Sequence, residues 1–328
     1  MLVSAVVWEL VAYVVDKMIL SASRRTDIPS YYAEWLYQRL KEGFVCVRNP
    51  MNIHQISKIK ITPELVDCIV FWTKNPAPML ERLDELKAYH YYFQFTLNSY
   101  GKDIEANVPA KGQELIETFQ RLADKIGPNK VIWRYDPILL NEKYTVEYHM
   151  EYFAKLAKKL HDYTEKCTIS FIDLYRSITN HVKDLNLEMI ANEKKRLLAA
   201  SLVEIAKSYH LRMDTCAEDI ELRDLAIEHA RCIDAQLIER IIGCKINVEK
   251  DKNQRLACGC VASVDIGMYN TCLHGCKYCY ANHSLNTVKK NVNLHDKLSP
   301  LICGVLTDED TVKDREVKSL KESQYNLF

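Results

Sequence analysis

The sequence predicts an α/β fold of six β/α units, as a barrel or an open sheet, with a cysteine-rich segment behind it, and three observations carry that prediction. From Met18 onward, short apolar runs alternate with amphipathic stretches, as parallel strands joined by crossover helices require. Polar residues collect where each of the six strands should end. Behind the last unit, Cys272, Cys276 and Cys279 fall within eight residues.

In chain order, the first stretch, residues 1–17, is apolar but carries Glu9 and Asp16. It is too short and too charged for a membrane span and lacks the basic start of a secretion signal, so it reads as an appended or mis-started leader. Strands are expected over roughly 18–23, 67–72, 91–97, 130–135, 167–173 and 211–215. Phe44 to Arg48 adds a strand or hairpin before the second unit. Helices follow the strands. Residues 77–88 set Met79, Leu80, Leu83 and Leu86 on one face, and 146–160 do the same with Val146, Met150, Phe153 and Leu160. A longer helix covers about 187–209. The run Ala262 to Ile266 can supply one more short strand, just before the cysteines. The expected organisation is therefore a leader (1–17), a barrel (18–256), a cysteine-rich segment (257–300) and a tail (301–328).

At 328 residues the chain can bury one large α/β core or two smaller ones, and its 48% hydrophobic and 27% charged content is that of a globular protein. A formal net charge of +0 excludes a global attraction to polyanions and leaves only a local basic patch for such a partner. Twelve cysteines without a secretion signal point to the reducing cytoplasm, where clustered cysteines bind metal more often than they form disulfides. No membrane association is expected.

The polar strand ends supply the candidate binding residues. They are Arg24, Arg25 and Asp27 after the first strand, Lys74 and Asn75 after the second, Asn98 after the third, Arg134 and Asp136 in the fourth, and Asp173 after the fifth. In parallel α/β folds these ends share one face, and that face holds the site. Each residue also has a purely structural reading: Asp27 can orient the turn before Pro29, and Arg134 with Asp136 can form an ion pair.

Cys272, Cys276 and Cys279 stand at spacing Cys-x3-Cys-x2-Cys, with Gly275 inside the loop and Tyr278 just before the third cysteine. Three soft thiolates in one tight loop suit an iron–sulfur cluster, and they leave the fourth iron of a cube without a ligand from the loop. A zinc knuckle or buried thiols are the alternatives, although zinc usually recruits two Cys-x2-4-Cys pairs.

This motif resembles that of the radical S-adenosylmethionine (SAM) superfamily. The resemblance implies a [4Fe–4S] cluster on Cys272, Cys276 and Cys279, with SAM held at the open iron and cleaved to a 5′-deoxyadenosyl radical. It also implies a (β/α)6 partial barrel with the site at the C-terminal strand ends, and a reductant such as flavodoxin or ferredoxin as partner. Phe71 to Lys74, Phe95 to Asn98 and Asn270 to Asn282 resemble segments of spore photoproduct lyase. The overall order is similar to a radical-SAM-like family of unknown function whose cluster motif lies near the C-terminus. In most of the superfamily the cysteine loop follows the first strand, whereas here it follows all six units, as in a circular permutation or a tail folded back over the barrel. No Gly-Gly-Glu run is present to hold the SAM amino group. Arg24, Arg25, Asp27 and Lys74 are candidates for SAM by position, alongside Tyr278.

Two further features stand outside the motif. Cys216, Cys232, Cys258 and Cys260 make a complete tetrahedral set for an auxiliary iron–sulfur cluster or a structural zinc, or else are buried small apolar residues. Gln324, Leu327 and Phe328 form a Gln-x-x-Leu-Phe pattern that resembles the motif by which repair proteins dock on the replication sliding clamp. With the likeness to a DNA-repair enzyme, that pattern favours a nucleic-acid substrate, for base repair or modification.

Overall fold

The structure, a computed structural model, describes residues 18–175 and 178–316. Eleven strands are described: β1 (Met18–Ala22), β2 (Phe44–Asn49), β3 (Asn52–Lys60), β4 (Val66–Thr73), β5 (Tyr91–Thr96), β6 (Val131–Ile138), β7 (Lys166–Phe171), β8 (Arg212–Thr215), β9 (Glu228–His229), β10 (Val264–Asp265) and β11 (Thr311–Asp314). Eight of them form one sheet in the order β10-β1-β4-β5-β6-β7-β8-β9, with every neighbouring pair parallel. The sheet runs from a β10 edge to a β9 edge, and among the described residues no strand pairing closes it into a ring. A second sheet, β11-β3-β2, stands apart from it.

The six expected strands are β1, β4, β5, β6, β7 and β8, each within a few residues of its expected bounds. They form because their residues alternate between two buried surfaces. Leu20, Phe71, Phe93 and Trp133 enter one core, while their predecessors Ile19, Val70, Tyr92 and Ile132 enter another. Burial on both faces gives continuous apolar runs, as parallel sheets require.

The first core is covered by helices α1 (Ile28–Tyr31), α2 (Ala33–Glu42), α3 (Ile116–Ile126), α4 (Val146–Leu160) and α5 (Asn192–Ser208), through residues such as Trp35, Phe119, Phe153 and Leu202. The second is covered by α6 (Ala235–Ile242) and its flanks, including Ile233, Leu237, Cys258 and Cys260. A last helix, α7 (Leu285–Val292), follows the cysteine loop. The helix expected over 146–160 is α4, started by the Thr145 side chain accepting from the Tyr148 amide at 3.2 Å.

Two expectations are corrected. Residues Ala77–Leu86 form 3-10 turns instead of an α-helix, with prolines at 76 and 78 opening the segment, although Met79, Leu80, Leu83 and Leu86 are buried as expected. The helix expected from about residue 187 begins at Asn192, because the preceding chain is irregular. Residues 1–17 and the tail residues Gln324, Leu327 and Phe328 lie outside the described residues.

Candidate functional site

The strand suggested before the cysteines is β10, and it pairs with β1 through Leu20↔Val264 and Ser21↔Asp265. The loops that leave these two parallel strands therefore start side by side, one carrying Arg24, Arg25 and Asp27 and the other the three cysteines. Asp265 ties them together. Its carboxylate accepts from the Ser21 hydroxyl at 2.9 Å, the Ser23 hydroxyl at 2.6 Å, the Arg24 amide at 2.8 Å and the Gly267 amide at 3.0 Å. Gly267 lies so close that a Cβ there would fall 2.0 Å from the Ser23 hydroxyl oxygen. The Tyr280 hydroxyl donates to the Arg24 carbonyl at 3.0 Å and closes the far side of the loop.

Between these ties the cysteine loop is held by its own polar groups. The Asn270 amide donates to the Ala281 carbonyl at 2.8 Å, and Asn282 Nδ2 donates to the Cys272 carbonyl at 2.7 Å, so two asparagines fasten the neck. Asn270 and Gly275 both take left-handed φ, which lets the chain double back within so few residues. The tip is gripped by the chain after β5. Cys276 forms an antiparallel bridge with Glu105, the Lys277 amide donates to the Ile104 carbonyl at 2.9 Å, and the Asn107 amide donates to the His274 carbonyl at 3.0 Å.

Electrostatics around the loop are organised by two buried carboxylates. Asp27 accepts from the Ser30 amide at 3.0 Å, which caps α1, and its other oxygen accepts from the Lys74 amide at 2.7 Å and contacts His274 Nε2 at 2.8 Å. His274 Nδ1 lies 3.0 Å from the Tyr31 hydroxyl. The structural reading of Asp27 is thus correct, and the same residue also ties β1 to β4 and to the cysteine loop.

Glu105, 1% exposed, accepts from Lys74 Nζ at 2.8 Å, and also from Lys111 and the Tyr278 hydroxyl. Burial alone would raise its pKa, but Lys74 and Lys111 outweigh that and hold it at about 2. Lys74 Nζ also lies 5.4 Å from the centre of the Tyr278 ring. Asn98 Nδ2 donates to the Asp136 carbonyl at 2.8 Å, while its buried Oδ1 has no protein partner among the described residues.

Burial raises the pKa of all three loop cysteines. At Cys272 the neighbouring sulfurs add to the rise, and at Cys276 the Lys74 ammonium opposes it. Lys74 is therefore the cation placed to offset negative charge on the sulfurs.

Residues 19–281 match the family model described as Domain of unknown function (DUF1848). The chain belongs to that family. The match spans the eight-stranded sheet but for Met18 and ends just past Cys279, so it holds the whole cysteine loop and leaves α7, β11 and the tail outside. No curated protein matches the chain.

The structure gathers most of the expected site residues into three groups and leaves Asn75 and Asp173 apart. Asp27, Lys74, Asn98 and Tyr278 join the cysteine loop through the contacts above. Arg24 and Arg25 sit at its rim, Arg24 paired with Asp251 at 3.3 Å and Arg25 over the Tyr269 ring at 5.3 Å. Arg134 pairs with Asp136 as the structural reading has it, but also donates to Cys232 Sγ at 2.7 Å, so it belongs with the second thiol set. Asn75 shapes the turn into the 3-10 segment, its Oδ1 accepting from the Ala77 amide at 3.1 Å, and Asp173 pairs with Arg255 on the surface. Four residues of this network were not anticipated: Tyr31, Glu105, Lys111 and His274. His274 lies inside the cysteine motif and was legible there. Glu105 and Lys111 lie in an irregular stretch with no periodic signal.

Among the described residues no group of three or more His, Cys, Asp or Glu side chains is arranged to hold a metal ion, and no helix is long and apolar enough to cross a membrane.

Proposed function

We propose that this protein is a radical SAM enzyme whose [4Fe–4S] cluster is carried by Cys272, Cys276 and Cys279, at the mouth of a six-unit β/α partial barrel. One observation carries the reading. The cysteine loop leaves the C-terminal end of a parallel strand beside β1, where the polar ends of β1, β4 and β5 also meet. That is where parallel α/β folds put their sites. In space the loop stands next to the first strand, although in sequence it follows the last, which suits the permuted order expected from the resemblance.

The residues present fit the group. A cube offers each thiolate a separate iron, so the three sulfurs need not share one ion position, and a loop with left-handed turns at Asn270 and Gly275 allows that spread. When bound, the cluster would supply an electron to SAM held at its open iron. The chain's own part is to bind and to exclude water. Lys74 offsets thiolate charge next to Cys276, and Glu105 keeps Lys74 in place. The unpartnered Asn98 Oδ1 and the Tyr278 hydroxyl offer polar contacts beside the loop. The reductant would be a flavodoxin or ferredoxin, and the substrate class favoured by the resemblance is nucleic acid.

Anaerobically reconstituted protein should show a cluster absorption that dithionite bleaches, and should release 5′-deoxyadenosine from SAM. Replacing Cys272, Cys276 and Cys279 together with Ser should abolish both. Folded, iron-loaded wild-type protein that neither bleaches nor turns over SAM would overturn the reading. In that case a zinc or iron–sulfur protein without SAM turnover remains, and metal analysis distinguishes those two.

A further inference from the structure

Four cysteines outside the loop meet at one place, drawn from three parts of the chain. Cys216 follows β8, Cys232 precedes α6, and Cys258 and Cys260 flank Gly259. The sulfurs of Cys216 and Cys232 are 3.3 Å apart, Cys232 is in hydrogen-bonding contact with Cys260, and Cys260 with Cys258. Cys232, Cys258 and Cys260 are buried and Cys216 is half-buried.

Free cysteines in a core ordinarily pack as small apolar groups against carbon. Here sulfur packs on sulfur, and N–H groups are directed at it. Arg134 Nη1 donates to Cys232 Sγ at 2.7 Å, and the Ile233 amide to Cys260 Sγ at 3.4 Å. A thiol is a weak acceptor, whereas a thiolate attracts such donors and needs a nearby cation when buried.

The backbone is shaped for the same meeting. A Cβ on Gly259 would come within 2.9 Å of the Ala230 carbonyl oxygen and 3.0 Å of Arg231 Cγ, so a glycine there lets the Cys-Gly-Cys turn lie against the segment that carries Cys232. That segment is in turn fixed to β5. The Tyr92 hydroxyl and Gln94 Nε2 both donate to the Cys232 carbonyl, at 2.7 and 2.8 Å.

We infer that Cys216, Cys232, Cys258 and Cys260 are the four ligands of one tetrahedral thiophilic divalent ion, zinc, which clamps the chain from Cys216 to Val261 onto the sheet face opposite α1 to α5. Zinc–sulfur bonds of about 2.3 Å put tetrahedral ligands about 3.8 Å apart, against 3.3 Å between the sulfurs of Cys216 and Cys232. As they stand, no three of these sulfurs are arranged to hold an ion. The ion opens the Cys216–Cys232 pair by about half an ångström and draws the other two around it. A cuboidal cluster would hold its thiolates farther apart than this packing does. Arg134 balances part of the tetrathiolate charge, and a cleft of about 550 Å³ lined by Cys258 and Gly259 gives the ion an entry path.

The test is elemental analysis of protein purified anaerobically without chelator, with X-ray absorption at the zinc edge. One zinc per chain, bound to four sulfurs at about 2.3 Å, is expected whether or not iron is present. The double variant C258S/C260S should lose the zinc and keep its iron, while the C272S/C276S/C279S variant should lose iron and keep zinc. If the double variant does not fold, cobalt substitution of the wild type decides, through the thiolate-to-cobalt charge-transfer bands of a tetrathiolate site. Wild-type protein without zinc from zinc-supplemented cells, a Cys216–Cys232 disulfide, or a second complement of iron and sulfide on these cysteines would each overturn the inference.

Discussion

Glu105 carries the buried charge of the site, and its position allows a direct test. Its buried carboxylate neutralises two part-buried ammonium groups, so Glu105→Gln leaves Lys74 and Lys111 without their counter-ion. Breaking a buried pair in this way costs about 3–5 kcal/mol, and a lower urea midpoint at pH 7 is the expected outcome. The pH dependence has a definite sign. A carboxyl held at about 2 in the folded chain contributes stability that is fully present above its unfolded pKa of about 4.3 and is lost as pH falls towards 2. The variant should lack that part of the acid limb.

His149 acts higher in pH. Its Nε2 lies 2.9 Å from the Leu139 carbonyl, which only accepts, so Nε2 carries the proton and Nδ1 accepts from the Tyr135 hydroxyl at 2.8 Å. Burial lowers its pKa to about 4, the Leu139 bond opposing only in part. Its stabilising contribution is therefore present above the unfolded value of about 6.5 and declines as pH falls towards 4. Unfolding midpoints of His149→Gln should be flatter than wild type across that window, and an unchanged slope would remove the assignment. Of these residues only the cysteines, Asp27 and the strand-end polar groups announce themselves in sequence. Glu105 and His149 do not, because what distinguishes them is burial, and burial is set by distant segments.

At the scale of elements, the join between β1 and β10 is the point most sensitive to change. Gly267→Ala would set a methyl group against the Ser23 hydroxyl, and Ser23 is itself bonded to Asp265. Overpacking of this kind costs about 1–3 kcal/mol. The variant should melt lower and retain less iron after reconstitution than wild type, while Gly243→Ala, which meets nothing within 4 Å, should retain iron as wild type does despite the strain of its positive φ. Strands that alternate between two cores were legible, since every residue of β1 is buried and reads as an apolar run. β3 was not. Its isoleucines at 53, 56 and 59 repeat every three residues, because Ile53 is exposed while Ile56 and Ile59 serve two different clusters. β11 is exposed along its length and carries no pattern at all.

At the scale of the molecule, the cysteine segment is woven into the sheet domain along its whole length. Beyond the β10 pairing, the Tyr32 hydroxyl donates to the Thr271 carbonyl at 2.5 Å, Trp35 Nε1 to the Ser299 carbonyl at 2.9 Å, and Arg39 Nη2 to the Leu298 carbonyl at 3.0 Å. The Cys46 amide donates to the Pro300 carbonyl at 2.9 Å, and Leu301, Ile302 and Cys303 are buried. In sequence the segment from residue 257 stands out by its cysteines, and these long-range bonds carry no local signature. A chain ended after Ala262 would uncover the paired edge of β1, leave Trp35 Nε1 without its acceptor and Arg39 with Glu42 alone, so it should aggregate or lose its cooperative unfolding transition. In the full chain, the amides of β10 and the Cys46 amide bonded to Pro300 should exchange with solvent as slowly as those of β1 and β4. A stable monomer of residues 18–262 with an unchanged melting temperature would show instead that the cysteine segment is an appended module, folding on its own against a finished domain.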